Sequence, residues 1–230
     1  MKNNFFYFIL VSIFFLNITK TNAQNIQFGL RVGMNASWIG QAPENGNTNG
    51  TNFGFTGGAW VRIAFRDPDE SAFYVQPELL YSTFGSKYTT SVTTPFGTSE
   101  KKSVINFNNF ELPILAGYKI MLGEESEIRL YAGPVFARVN SAKQIETTTI
   151  VTNAINANTP ATKTTGETEI DITDKMKGVY TAGLVGVGFN IKKFTIDLRF
   201  QKVFTNMYQN STGEENRPAM IQLGVGYRIF

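Results

Sequence analysis

The chain has 230 residues, 42% of them hydrophobic and only 17% charged, with a formal net charge of +3. It contains no cysteine and no histidine. Their absence removes disulfides, thiolate metal sites, cysteine nucleophiles, a lipoprotein anchor cysteine, the commonest general base and every Ser-His-Asp triad.

The N-terminus reads as a leader. Met1-Lys2-Asn3-Asn4 is short and positive, Phe5 to Leu16 is apolar except for Ser12, and a polar stretch ends in Thr21-Asn22-Ala23. This pattern predicts a secretory signal peptide over 1–23, followed by one domain over 24–230. The apolar run is too short to span a bilayer as a helix. Lys2 and Lys20 fall in the leader, so the remaining chain is close to neutral and no nucleic-acid partner is expected.

No later stretch offers 18 consecutive apolar residues. The longest, 179–191, is rich in glycine and β-branched residues, which favour strand over helix. The domain is therefore either soluble and exported or a membrane β-barrel, since a closed barrel also satisfies its backbone in lipid.

From residue 26 the pattern has period two. Ile26, Phe28, Leu30, Val32, Met34, Ala36 and Trp38 alternate with Gln27, Gly29, Arg31, Gly33, Asn35 and Ser37. Eight such segments follow one another, at 26–39, 54–66, 72–90, 106–122, 127–142, 177–191, 194–207 and 219–230. Most reach the 9 to 11 residues a tilted strand needs to cross a bilayer. Short turns (66–70 with Pro68, 123–126, 192–193) alternate with long polar connections (40–53, 91–105, 143–176, 208–218). That alternation predicts an all-β, eight-stranded antiparallel up-and-down transmembrane barrel of outer-membrane type, with both termini periplasmic and the long connections extracellular.

A soluble ligand-carrying barrel would turn the apolar face inward. Here that face carries almost no charge, and the polar face is rich in glycine with isolated charges, as a tight interior requires. Trp38, Tyr81, Tyr118, Tyr208 and Tyr227 fall near segment ends, where interfacial aromatic girdles sit. The membrane reading follows.

Three stretches and the ending carry a resemblance: Gln76-Pro77-Glu78-Leu79-Leu80-Tyr81-Ser82, Phe110-Glu111-Leu112-Pro113-Ile114-Leu115, Tyr131-Ala132-Gly133-Pro134 and Gly224-Val225-Gly226-Tyr227-Arg228. They are similar to PorT-like outer-membrane β-barrel proteins of Gram-negative bacteria. The resemblance implies a small eight-stranded barrel in outer-membrane lipid, inserted by the barrel-assembly machinery. Some relatives serve as accessories of protein secretion.

The interior parity collects Arg31, Arg62, Glu78, Glu111, Lys119, Arg129, Asp197, Arg199 and Arg228. Eight strands enclose a space only just wide enough for side chains, so these charges are expected to pair as a structural plug. The alternative is a narrow porin-like channel or a membrane-embedded enzyme using Glu78 and Glu111, two carboxylates beside prolines that could mark bulges. With no histidine and no recognisable Ser-Lys pattern, no catalytic residue is assigned. Glu167, Glu169, Asp171 and Asp174 lack the glycine-centred spacing of a calcium loop, so no metal and no cofactor is expected. The threonine-rich 143–176 segment is too poor in apolar residues to pack as a subdomain, although Ile145, Ile150, Val151 and Ile155 could extend the flanking strands as a hairpin. The asparagine-rich 45–52 run reads as a loop. Loops on a rigid scaffold are where binding concentrates, so the expected role is a structural or interaction protein whose partner meets the long connections.

Overall fold

Strict alternation sends successive side chains to opposite faces, and a sheet with one charged and one apolar face can bury the charges only by curling around them. The structure, a computed structural model, describes residues 25–39, 48–66, 70–153, 161–207, 209 and 217–229. The leader, residues 40–47 of the first long connection, the Pro68 turn at 67–69, Ile155, Tyr208, most of 208–218 and Phe230 lie outside the described residues. The strands are β1 (Asn25–Ile39), β2 (Thr48–Gly50), β3 (Asn52–Ala64), β4 (Ala72–Thr94), β5 (Gly97–Met121), β6 (Ser126–Thr152), β7 (Thr162–Asp171), β8 (Val179–Ile191), β9 (Phe194–Val203) and β10 (Pro218–Arg228). Eight of them form a ring in the order β1-β3-β4-β5-β6-β8-β9-β10, closed where β10 pairs back onto β1. Every pairing is antiparallel.

The barrel is inside out relative to a soluble protein. Along β1, Arg31 and Asn35 are 2% and 1% exposed, while Val32 and Met34 are 61% and 68% exposed. The same inversion runs round the wall through Leu79, Leu112, Leu130, Val185, Leu198 and Leu223, all outside. An apolar coat of this extent around a polar interior fits a lipid environment and no aqueous one. Aromatic pairs edge the coat. Phe73–Tyr118 and Phe194–Tyr227 meet edge-to-face at the plain rim of short turns, and Phe55–Tyr81–Phe110 form a row toward the elaborated rim.

Two expectations change at the elaborated rim, and the hairpin extension of 143–176 is formed. The 91–105 stretch is strand rather than loop: β4 and β5 stay paired from Ala72↔Lys119 to Thr94↔Gly97. The 143–176 segment continues β6 to Thr152 and returns as β7, paired from Lys143↔Asp171 to Thr152↔Thr162. The short β2, inside the expected 40–53 loop, adds to β4 from the other side. Threonine is a good strand former with both faces in water, so the pairing continues where the apolar coat ends. The expected proline bulges are absent. The ladder loses bridges at Pro77 against β3, at Pro113 against β4 and at Pro134 against β5, where proline has no N–H to donate, yet each ladder keeps its register across the gap. The shift occurs instead between Asn108 and Asn109, where β6 carries Asn140 as an extra residue.

Candidate functional site

The lumen holds the chemistry. Among the described residues, five buried cations (Arg31, Arg62, Lys119, Arg129, Arg199) face four buried carboxylates (Glu78, Glu111, Glu127, Asp197). Burial at this depth requires partners, and the strands supply them in a closed circuit. Arg199 on β9 donates from both terminal nitrogens to the Glu78 carboxylate on β4, at 2.7 and 2.8 Å. Gln76 Nε2 donates to Glu78 at 2.6 Å and accepts on Oε1 from Arg62 Nε at 2.8 Å. Arg62 also meets Glu127 at 3.1 Å, and Asn190 donates to the same Glu127 oxygen at 2.6 Å. Asn190 accepts from Arg129, Arg129 pairs with Asp197 at 3.1 Å, Tyr131 donates to Asp197 at 2.7 Å, and Arg199 Nε donates to Tyr131. The circuit thus returns to Arg199 after crossing five strands of the wall.

Arg31 stands beside this circuit, 3.5 Å from Glu78 and without a good hydrogen bond. Glu111 is held apart from Glu78. Its Oε1 accepts from Tyr180 at 2.9 Å and Gln201 at 3.4 Å, while Oε2 has no hydrogen-bond partner. The two glutamates therefore have separate partners and do not form a carboxylate pair. Lys119 is buried on β5. Arg228 is only half-buried at the plain rim beside Lys192, Lys193 and Glu124. It sits at the last residue of β10, where the wall ends and its guanidinium opens to solvent.

Toward the elaborated rim the lining turns apolar. Phe84 stacks on Phe107 and meets Tyr180 edge-on. Ile172 and Met176, flanking a 3₁₀ turn at Thr173–Lys175, fold in with Met207 to complete a buried cluster. Backbone bonds from Ile172 to Ala142 and from Lys177 to Met207 hold this crossing segment over the mouth. Sequence reasoning missed this apolar plug and Glu127. Glu127 was findable, because it shares the parity of Arg129 two residues away. The plug was not, since an apolar residue on the inner parity breaks the polar-inside pattern that defines that parity.

Two acidic residues of the outer hairpin, Glu169 and Asp171, are engaged locally. Lys143 meets Glu169 at 2.7 Å, and Asp171 accepts from the Thr173 backbone N–H at 2.9 Å. Hydrogen bonding to Glu169 holds the Lys143 ammonium above its ordinary value, and bonding from Thr173 holds the Asp171 carboxyl below its own. No cluster of three metal-ligating acids occurs among the described residues.

The family described as outer membrane protein beta-barrel domain matches residues 22–209. No curated protein matches the chain significantly. Among solved structures the chain is similar to Ail, the attachment invasion locus protein of Yersinia pestis, solved with the heparin analogue sucrose octasulfate. The identity is 12% over 89% of this chain and 99% of that one, with a TM-score of 0.36. It is likewise similar to Neisserial surface protein A, at 10% identity over 88% of this chain and 98% of that one, also with a TM-score of 0.36.

Proposed function

The chain belongs to the outer membrane protein β-barrel domain family, and we propose that it is a non-enzymatic interaction protein which presents the elaborated rim outside the cell, both termini being periplasmic. One observation carries this reading. Beyond the Tyr81–Phe110 row, β4 and β5 run on for roughly 40 Å of strand at about 3.3 Å per residue. With β2, β6 and β7 they build a five-stranded sheet that stands clear of the lipid coat. A rigid, polar, threonine-rich platform on an inert plugged cylinder is suited to meeting a partner protein. The similarity to PorT-like proteins supports a finer role, as an accessory that a secretion apparatus docks on. The absence of histidine and cysteine and the engagement of every circuit carboxylate by a fixed donor support the non-enzymatic reading.

The test is to replace 146–168 by a two-residue Asn-Gly turn between the paired Ile145 and Glu169, which shortens β6 and β7 while leaving the ring intact. Heat-modifiable gel mobility should be unchanged, and proteins co-purifying in mild detergent should be lost. If the shortened barrel keeps its partners while Glu78→Gln or Glu111→Gln abolishes function without unfolding, the interaction reading is wrong.

A further inference from the structure

Outside the lumen, the lipid-facing strip along β6 is unlike the rest of the coat. From the elaborated side it reads Arg138, Phe136, Pro134, Ala132, Leu130. Arg138 is exposed and lies in the row of the aromatic girdle, paired in register with Phe110 on one side and Val179 on the other. Among the described residues no carboxylate pairs with it. Just beneath it a groove of about 620 Å³ opens between Leu112, Phe136 and Val179. This groove is edged by the Thr181 and Thr205 hydroxyls, which lie 3.0 Å apart. A second groove of about 690 Å³ continues along the same strand, floored by the cross-strand pair Ala116↔Ala132 and walled by Leu130, Val185 and Phe200.

A guanidinium at the interface of a membrane is stabilised when a lipid phosphate neutralises it, and Arg matches phosphate with a bidentate fork. Two apolar grooves below it, in line, fit acyl chain. The strip from Arg138 to Leu130 covers roughly 26 Å of strand at about 3.3 Å per residue. At the usual barrel tilt that is about 20 Å of depth, enough to cross one leaflet's half of a ~30 Å hydrocarbon core.

We propose that the outer face of β6 is a lipid-binding track for a phosphorylated, multiply acylated glycolipid of the outer leaflet. Arg138 holds a phosphate, the one hydroxyl proton not used within the Thr181–Thr205 pair is donated to a sugar or phosphate oxygen, and one acyl chain lies over Ala132. The choice of leaflet rests on the orientation proposed above, whereas the track itself does not.

The experiment is native mass spectrometry of the purified full chain, with bisphosphorylated lipid A, the same lipid dephosphorylated, or phosphatidylglycerol as probes. Lipid A should be retained by the wild type about tenfold more strongly than its dephosphorylated form, the scale of one charge-assisted contact. Arg138→Ala should erase that preference. Ala132→Phe, which fills the lower groove, should weaken lipid A binding with the phosphate contact intact, and Val32→Phe on the opposite wall should change nothing. Equal retention of the phosphorylated and dephosphorylated lipids, or an unaffected Arg138→Ala variant, overturns the track. Phosphatidylglycerol binding as well as lipid A overturns the identity of the lipid. Labelling of Gly166→Cys on intact cells reports the orientation separately. Labelled cells with no lipid preference defeat the track alone, and unlabelled cells defeat the orientation and the choice of leaflet.

Discussion

A Cβ added at Gly188 would stand 2.5 Å from Asp197 Oδ1 and 2.6 Å from Arg129 Nη2, so this glycine is the space into which that ion pair fits. Gly186 does the same for the Tyr131 ring. The glycine-rich inner face visible in the sequence is therefore the imprint of large partnered side chains lying against the opposite residue type. Their identities were legible because alternation sorts residues by face. Their pairing was not, because contacts such as Arg199 with Glu78 join residues 121 apart in the chain, and only the ring closure decides them. Breaking a buried pair by removing one partner costs about 3–5 kcal/mol, since the other charge stays buried. Glu78→Gln should accordingly destabilise the barrel by that amount in guanidinium unfolding followed by tryptophan fluorescence, Trp60 being buried in the lumen. The double change Glu78→Leu with Arg199→Met should recover most of the loss. A single variant within about 0.5 kcal/mol of wild type would show that the circuit does not hold the ring.

Strands inside the lipid coat could be placed from sequence because one face is apolar and the other is not. The same strands could not be followed past the girdle, since on Thr98, Thr147 or Thr165 neither face is apolar and the period-two signal disappears while the pairing persists. The bulge at Asn140 was equally invisible: an extra residue in a polar stretch leaves no mark on composition. Its consequence is large. Before it Val135, Ala137 and Val139 point inward, and after it Ala142 does. A one-residue slip turns every later side chain to the other face. Deleting Asn140 should therefore restore a regular ladder, with Val139 and Ser141 still opposite Asn109 and Asn108, Ala142 still inward and Lys143 still outward. The sheet beyond the membrane should then keep its protection from limited proteolysis around 143–171, above an unchanged heat-modifiable barrel. New cleavage within that segment would show that the outer sheet depends on the bulge itself and not only on the pairing either side of it.

For the whole molecule, the question is whether a cylinder with a polar interior conducts. Two barriers lie in series along its axis. The circuit from Arg199 round to Tyr131 fills the half near the plain rim, and the Phe84–Phe107 cluster with Ile172 and Met176 fills the half near the elaborated rim. Moving one elementary charge through a full 100 mV is worth about 2.3 kcal/mol, less than the ~3–5 kcal/mol needed to separate a buried pair. An ordinary membrane potential therefore does not open the charged layer, and it acts on no charge in the apolar one. Planar-bilayer recording of the wild type should show no steady conductance at such voltages. Met176→Ala with Phe107→Ala removes only the apolar barrier, so it should stay silent as well. Adding Arg199→Ala to that variant should produce brief openings, because only then are both barriers breached. Steady wild-type current would mean that the lumen is a pore and not a plug. Current from the apolar double variant alone would mean that the charge circuit does not close the lumen.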